Sequence, residues 1–371
     1  MTQPPLTHGA NNFDFLRVVA ALLVLVSHTF ALTGQPEPSP VSFQSLGGLG
    51  VLIFFVISGY LVASSWDRDP HAFRFAARRF LRIWPAWIVV TILSALVLGP
   101  AVSTLPAGEY FANSETWKYF TQLVFVEQFH LPGVFENNPF PRAVNGSLWT
   151  LPIEARMYAL LLIAGLATLL RWRWVCLAAI LALAAYIFFF QHVETDHKFV
   201  KEFGVFFGAG TCAYLFRDLW QSRVSFVLAV LLLVALVLWL TGYQYAGLFM
   251  AGPLALLACG LKSWPVINRF GRFGDISYGL YIYAFPVQQT VVQVTGNGLS
   301  PIAIGMISLI ITCILAFLSC HLIERPAMKF KADHAGARMV AGSKSKATTN
   351  ATASGSSLNT AGWSGANQRA K

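Results

Sequence analysis

Apolar residues run through this chain in long blocks, and short polar or basic stretches separate them. Crossing about 30 Å of hydrocarbon at 1.5 Å per residue takes roughly 17 to 25 apolar residues in one helix. Ten blocks reach that length: 13–32, 47–65, 83–103, 147–170, 173–191, 200–216, 224–241, 244–261, 275–294 and 300–323. The pattern predicts an all-α fold, a polytopic transmembrane helix bundle of about ten spans. A further stretch, TWKYFTQLVFVEQF at 116–129, is too short and too polar to cross. It reads as an interfacial or re-entrant helix inside a long loop.

Charge orients the blocks. With a cytoplasmic N-terminus, the inside loops hold fifteen Lys and Arg residues against four outside, a strong positive-inside bias. Counting 116–129 as a crossing would reverse every later loop and erase the bias. Both termini are therefore expected in the cytoplasm. Residues 1–12 form a cytoplasmic segment, 13–330 the membrane domain, and 331–371, rich in Ala, Ser, Gly, Thr and Asn, a disordered cytoplasmic tail.

Composition agrees. Of 371 residues, 11% are charged and 56% hydrophobic, and the mean hydropathy is +0.59. The formal charge of +10 does not indicate nucleic acid, because the basic residues lie between apolar blocks rather than on one patch. The five cysteines have no CxxC spacing and fall almost entirely within apolar blocks, so they read as small buried hydrophobes, with no metal or disulfide framework. Asp14 and Arg17 stand where the apolar core of a signal peptide would begin, and the block is long enough to span. No internal repeat is evident, which weighs against an inverted-repeat transporter.

Ionisable residues inside spans are costly, so function is their default explanation and a buried structural pair the alternative. Arg17 and His28 are eleven residues apart, which at 100° per residue brings them to within about 20° of one face, about 16 Å apart along the axis. Arg17 then lies near the cytoplasmic interface and His28 in the outer half. Asp14, one turn before Arg17, is placed to hold its guanidinium. Glu154, in NGSLWTLPIEARMY, is expected at a depth comparable with His28, where a carboxylate would orient the imidazole for general-base work. The structural alternatives are a snorkelling Arg17, a hydrogen-bonded core His28, and a Glu154–Arg156 ion pair.

The first inside loop, DRDPHAFRFAARRFLRIWPAW, brings Arg74, Arg78, Arg79 and Arg82 together at helical spacing among aromatics. Guanidinium groups suit a phosphate-bearing ligand, although topology signalling and attraction to anionic lipid explain the same cluster. Gly47, Gly48, Gly50 and Gly59 just before it permit close helix packing.

Taken in order, FDFLRVVAALLVLVSH, GVLIFFVISGYLV, RRFLRIWPAW, SLWTLPIEARMY, DISYGLYIYAFP and HLIERP resemble the acyltransferase 3 family of integral-membrane O-acyltransferases, which modify cell-surface glycans. The resemblance covers roughly residues 11–330. It implies an acyl-CoA donor on the cytoplasmic side and a surface polysaccharide or glycolipid acceptor outside. It maps the family's catalytic histidine onto His28, its companion arginine onto Arg17, its basic-loop arginines onto Arg79 and Arg82, and its glutamate after SLW onto Glu154. Two departures stand out. Ala155 occupies the position of a second acid, and Ala284 and Phe285 precede Pro286 where many members carry a histidine.

These observations imply an O-acyltransferase, most simply an O-acetyltransferase, of the bacterial inner membrane. Its expected catalytic residues are His28, Glu154 and Arg17. Arg78, Arg79 and Arg82 are expected to bind acetyl-CoA or another acyl-CoA, with no tightly bound cofactor or metal. The alternatives are a transporter or flippase that moves a glycolipid or acyl group without chemistry, and a non-catalytic scaffold. Aromatics of the loop 104–146, namely Trp117, Phe129, Phe135 and Phe140, are candidates to stack on sugar rings, or are interfacial aromatics.

Overall fold

The computed structural model describes residues 11–41, 44–190, 198–262 and 274–329, together with 264, 267, 270 and 271. The expected tail 331–371, most of 1–12, and the inside-loop residues Arg269 and Arg272 lie outside the described residues. Among the described residues the chain is helical, with three isolated bridges and no strand. Ten helices have 17 residues or more: α1 (Phe13–Leu32), α2 (Leu46–Arg68), α3 (Ala72–Leu93), α4 (Thr150–Leu166), α5 (Arg173–Phe190), α6 (Lys198–Leu215), α7 (Val224–Leu240), α8 (Gln244–Leu261), α9 (Ser277–Thr295) and α10 (Pro301–Ser319).

Each expected block falls on one of these helices. Seven segments are long and apolar enough to cross a membrane: those of α1, α2, α3, α4, α7, α8 and α10. The other three fall short for readable reasons. α5 is apolar but short, α6 opens with Lys198, Lys201 and Glu202, and α9 carries Gln288, Gln289 and Gln293. The main difference in bounds is at α3, which begins eleven residues before the expected span. The basic stretch forms its first three turns, because nothing between Ala72 and Trp84 breaks the helix. His71 caps its start, Nδ1 accepting from the Arg74 amide at 3.5 Å.

α2 sits between α1 and α6, and small residues let it do so. A Cβ added at Gly50 would lie 2.5 Å from the Ala20 carbonyl oxygen of α1. One at Gly59 would lie 1.9 Å from the Phe207 oxygen of α6, and one at Gly210 of α6 would lie 2.1 Å from the Val56 oxygen. Backbones this close replace the hydrophobic drive that is absent between helices in lipid with dense van der Waals contact. α1 packs on its other side against α9, where the Gln288 amide donates to the Leu25 carbonyl at 2.8 Å and to Thr29 Oγ1 at 2.6 Å. α9 in turn crosses α10 with Gly279 against Ala316.

The loop between α3 and α4 builds a small core of its own from Ala95, Tyr110, Tyr119, Leu131, Val134, Phe135 and Val144. The stretch expected to be an interfacial or re-entrant helix is broken into Ser114–Lys118 and a 3-10 segment, Tyr119–Val124, that turns at Phe125 with φ 68°. It runs back along α3, where Trp84 Nε1 donates to the Leu123 carbonyl at 3.3 Å. Gln289 of α9 ties the far end of the loop, donating to the Phe140 and Ala143 carbonyls at 2.8 and 2.9 Å.

The glycine contacts are testable. Gly59→Val forces α2 and α6 apart and should cost about 3 kcal/mol or more, read as a lower melting temperature in detergent. Gly108→Ala, with nothing within 4 Å of the added carbon, should leave the melt unchanged.

Candidate functional site

Arg17 projects from the first turns of α1, and the carboxylate that meets it is Asp275, just before α9, at 3.0 Å. This corrects the expectation that Asp14, a turn away on the same helix, supplies that partner. Arg82 of α3 donates to the same Asp275 oxygen. Glu324, following α10, lies 3.9 Å from Arg82 and accepts from Ser319 Oγ at 3.1 Å. Side-chain exposures of 18% for Arg17, 21% for Arg82, 12% for Asp275 and 3% for Glu324 make this a largely dry cluster. Two guanidinium groups and two carboxylates from four helical segments balance one another there. Asp275 is further held by the Ser277 amide at 3.1 Å and by the Ser277 hydroxyl, at the positive end of α9.

Glu154 belongs to this side of the bundle, not to the His28 side. Ser58 Oγ donates to Glu154 Oε1 at 3.0 Å, and the Tyr158 hydroxyl donates to the same oxygen. The depth of Ser58 follows from the antiparallel register of α1 and α2. Gly47 lies against Ser27, Gly50 against Ala20, and the Phe13 ring meets that of Tyr60 at a tilt, 5.8 Å between centroids. Ser58 therefore stands opposite the first turns of α1, near Arg17. The expected pairing of Glu154 with the imidazole is not made: the carboxylate is engaged about eleven residues deeper. The depth match fails because Gly146, at the start of this segment, already lies against Phe285 at the level of His28, and Glu154 stands two turns further along α4.

The basic stretch divides. Arg74 and Arg78 both clasp Asp69 in the α2–α3 turn, and these hydrogen bonds hold its carboxyl well below the usual carboxylate range. Arg78 also reaches the Asp69 carbonyl at 3.2 Å. It closes the end of α2, and its charge is already matched by a carboxylate. Arg82 is taken up by Asp275 and Glu324. Arg79 differs: among the described residues no carboxylate lies within ion-pair distance of it. Its guanidinium sits over the rings of Phe75 and Tyr158, 5.9 and 5.7 Å from their centroids, and its Nε is buried with no hydrogen-bond partner. Tyr158 thus links Arg79 to Glu154.

His28 lies three turns further along α1. Its ring meets Phe285 of α9 edge-on, at 5.2 Å between centroids and 79° between planes. Phe285 occupies the place before Pro286 where the family often has histidine, so its apolar ring borders the imidazole there. Gly146 is required beside it, because an added Cβ would lie 2.7 Å from the Phe285 ring. The His28 ring is half-buried, and its Nδ1 is buried with no hydrogen-bond partner. That leaves Nε2 as the nitrogen open to a substrate. One residue away, Ser27 Oγ donates to Glu37, from the α1–α2 connection.

Asp275, Glu324 and Glu37 were not assigned roles from the sequence. The first two stand inside DISYGLYIYAFP and HLIERP, and the signal was electrostatic: a buried guanidinium is costly until a carboxylate or another anion meets it. Of the aromatics considered for sugar contact, Phe135 is buried in the loop core and Phe140 packs 6.2 Å from Phe285. Trp117 remains 55% exposed.

Removing the shared carboxylate with Asp275→Asn leaves two buried guanidinium groups short of countercharge. It should cost about 3–5 kcal/mol, seen as a fall in melting temperature, and Arg17→Met on that background should cost less than it does alone. Arg74→Ala, at the solvent-facing pair with Asp69, should leave the melt unchanged.

The acyltransferase-domain family matches residues 11–321. The chain is similar to an O-acetyl transferase of Shigella phage Sf6, 32% identical over 332 residues that cover 86% of this chain and 96% of that protein. It is similar to nodulation protein 10 of Rhizobium leguminosarum bv. viciae, 31% identical with 86% and 94% covered. It also resembles a putative peptidoglycan O-acetyltransferase of Bacillus subtilis, 28% identical, covering 84% of this chain and 54% of that protein. No solved structure matches. A chain matched over nearly its whole helical region, with its buried charges on the segments that carry the resemblance, belongs to the acyltransferase 3 family and is an enzyme that transfers acyl groups.

Proposed function

We propose that this enzyme is an O-acetyltransferase of the bacterial inner membrane, with ten spans and both ends cytoplasmic, that moves an acetyl group from cytoplasmic acetyl-CoA to a hydroxyl of a surface polysaccharide or glycolipid. One observation carries the reading. A single helix presents a buried arginine cluster at one end and a half-open imidazole about 16 Å away at the other. That layout suits a donor and an acceptor arriving from opposite sides. The names of the phage and Bacillus relatives support acetyl as the group and a cell-surface polymer as the acceptor.

In this reading Arg79, with no carboxylate against it, receives donor phosphate. Arg17 and Arg82, locked on Asp275, hold α1, α3 and α9 in register around the donor arm. Glu154, Ser58 and Tyr158 line the inner polar wall. At the other level, His28 Nε2 takes the proton of the acceptor hydroxyl as its oxygen attacks the thioester carbonyl. The C–S bond then breaks, and the thiolate leaves with the proton that His28 returns. Positioning the reactants and this proton transfer supply the rate enhancement.

His28→Ala, with its melt unchanged, should lower acetylation of the surface glycan by at least about 100-fold, measured by mass spectrometry of glycans from cells making each variant. Undiminished acetylation would remove His28 from the mechanism. Arg79→Ala should raise KM for acetyl-CoA about tenfold or more, the worth of a charge-assisted hydrogen bond. Thiol release from acetyl-CoA by purified protein, dependent on added glycan, separates transfer from transport, since transport releases none.

A further inference from the structure

Where the α3–α4 loop runs back along α3, it leaves a cleft. The Phe125 ring packs against Trp84 and Trp87 of α3, 5.4 and 6.1 Å between centroids, and its backbone at φ 68° turns the chain. Residues 126–129 then bridge toward the start of α4, where the Phe129 carbonyl accepts from the Val144 amide at 2.8 Å. Fastened at both ends, this strap walls a shallow, open cleft of about 220 Å³, mouth included, against α3 and α4.

Most of the lining is ring and hydrocarbon. Trp87, Phe129, Trp149 and Pro152 supply it, and Phe203 of α6 backs the Trp149 ring at 5.6 Å between centroids. The polar groups there are uncommitted. Trp87 is 1% exposed and its Nε1 is buried with no hydrogen-bond partner, although a buried indole N–H usually finds one. Glu127, on the exposed strap, has no ion-pair partner among the described residues.

This chemistry selects the occupant. An acyl chain would cover the rings, but it would leave the indole N–H unpaired and set a carboxylate against hydrocarbon. A phosphate would meet Glu127 and find no Lys, Arg or His in the lining. A sugar ring answers both demands: its apolar C–H face lies on aromatic surface, while its hydroxyls donate to a carboxylate and accept from an indole N–H. The cleft also lies close to the imidazole. Gly146 packs on Phe285, whose ring meets His28, and Trp149 follows three residues later in the same 3-10 segment, about 6 Å along its axis.

We propose that this cleft is a sugar subsite for the acceptor, seating one pyranose ring of the glycan on Trp149 and Phe129, with Glu127 accepting from its hydroxyls. The proposal rests on the reading of the enzyme as an O-acetyltransferase of a surface glycan. Being shallow, the cleft holds a ring by one face and leaves the rest of the chain outside.

The test uses full-length protein in lipid nanodiscs, with oligosaccharides cut from the cell's own surface polysaccharide after alkaline removal of its O-acyl groups. Hydrogen–deuterium exchange, run without donor, should slow for the amides of residues 121–129 when oligosaccharide is added, and Glu127→Ala should abolish the slowing. In the transfer assay Glu127→Ala should raise KM for the oligosaccharide about tenfold or more, the worth of a hydrogen bond to a charged group, while kcat and KM for acetyl-CoA stay within about twofold. Glu109→Ala, which removes an exposed acid of the same loop outside the cleft, should change neither readout. Exchange that ignores the oligosaccharide, slowing that persists in Glu127→Ala, or an unchanged oligosaccharide KM in that variant overturns the proposal. So does slowing that follows added phospholipid instead of sugar. Wild-type protein that transfers no acyl group while exchange still responds sinks the O-acetyltransferase reading and leaves the sugar site standing.

Discussion

The architecture depends on one carboxylate. Asp275 stands at the start of α9 and accepts from Arg17 of α1 and Arg82 of α3 at once. Charges in a low-dielectric bundle are expensive unless paired, and a buried pair contributes less to net stability than to specifying one arrangement. Here it specifies which helices meet and at what height, because two arginines from different helices can share one oxygen only in one register. Glu324 adds the second negative charge from the segment after α10. Four segments distant in sequence are thereby brought to one level.

From that level the other features follow by helix geometry. α1 rises three turns from Arg17 to His28, and α9 rises with it from Asp275 to Phe285, so the imidazole and the phenyl ring meet. α4 descends in the opposite sense, placing Gly146 against Phe285 and Glu154 with Ser58. The result is two separated polar regions joined by α1. The one at the Arg17 end is rich in arginine and shielded by aromatic rings; the one at the His28 end holds a single imidazole edge-on to Phe285. The long loop is fastened near the His28 end by Gln289, whose amide meets two loop carbonyls, and by Asn138, which donates to Gln289 Oε1 at 2.7 Å.

Much of this was legible before any coordinates. Block length located the ten long helices because a bilayer-spanning helix has to satisfy its backbone internally and present an apolar surface throughout. Helical periodicity put Arg17 and His28 on one face at different depths. Depth across helices was not legible. Glu154 seemed level with His28 because its span was counted from the outer boundary, whereas Gly146 at the start of that span already packs on Phe285 beside His28. Arg78 and Arg79 looked equivalent as neighbours in one basic stretch, yet Asp69 lies against the first and not the second.

The sequence by itself determined the helices, the family, and the inventory of buried ionisable groups, since these depend on local periodicity and on the ordered motifs. Only the tertiary structure decided the pairings: Arg17 and Arg82 to Asp275, Glu154 to Ser58 and Tyr158, Glu37 to Ser27. The reason is physical. A side chain's partner depends on the rotation and axial offset between helices, which glycine contacts such as Gly59 on Phe207 and Gly50 on Ala20 set through backbone approach. No pattern within one helix encodes that offset.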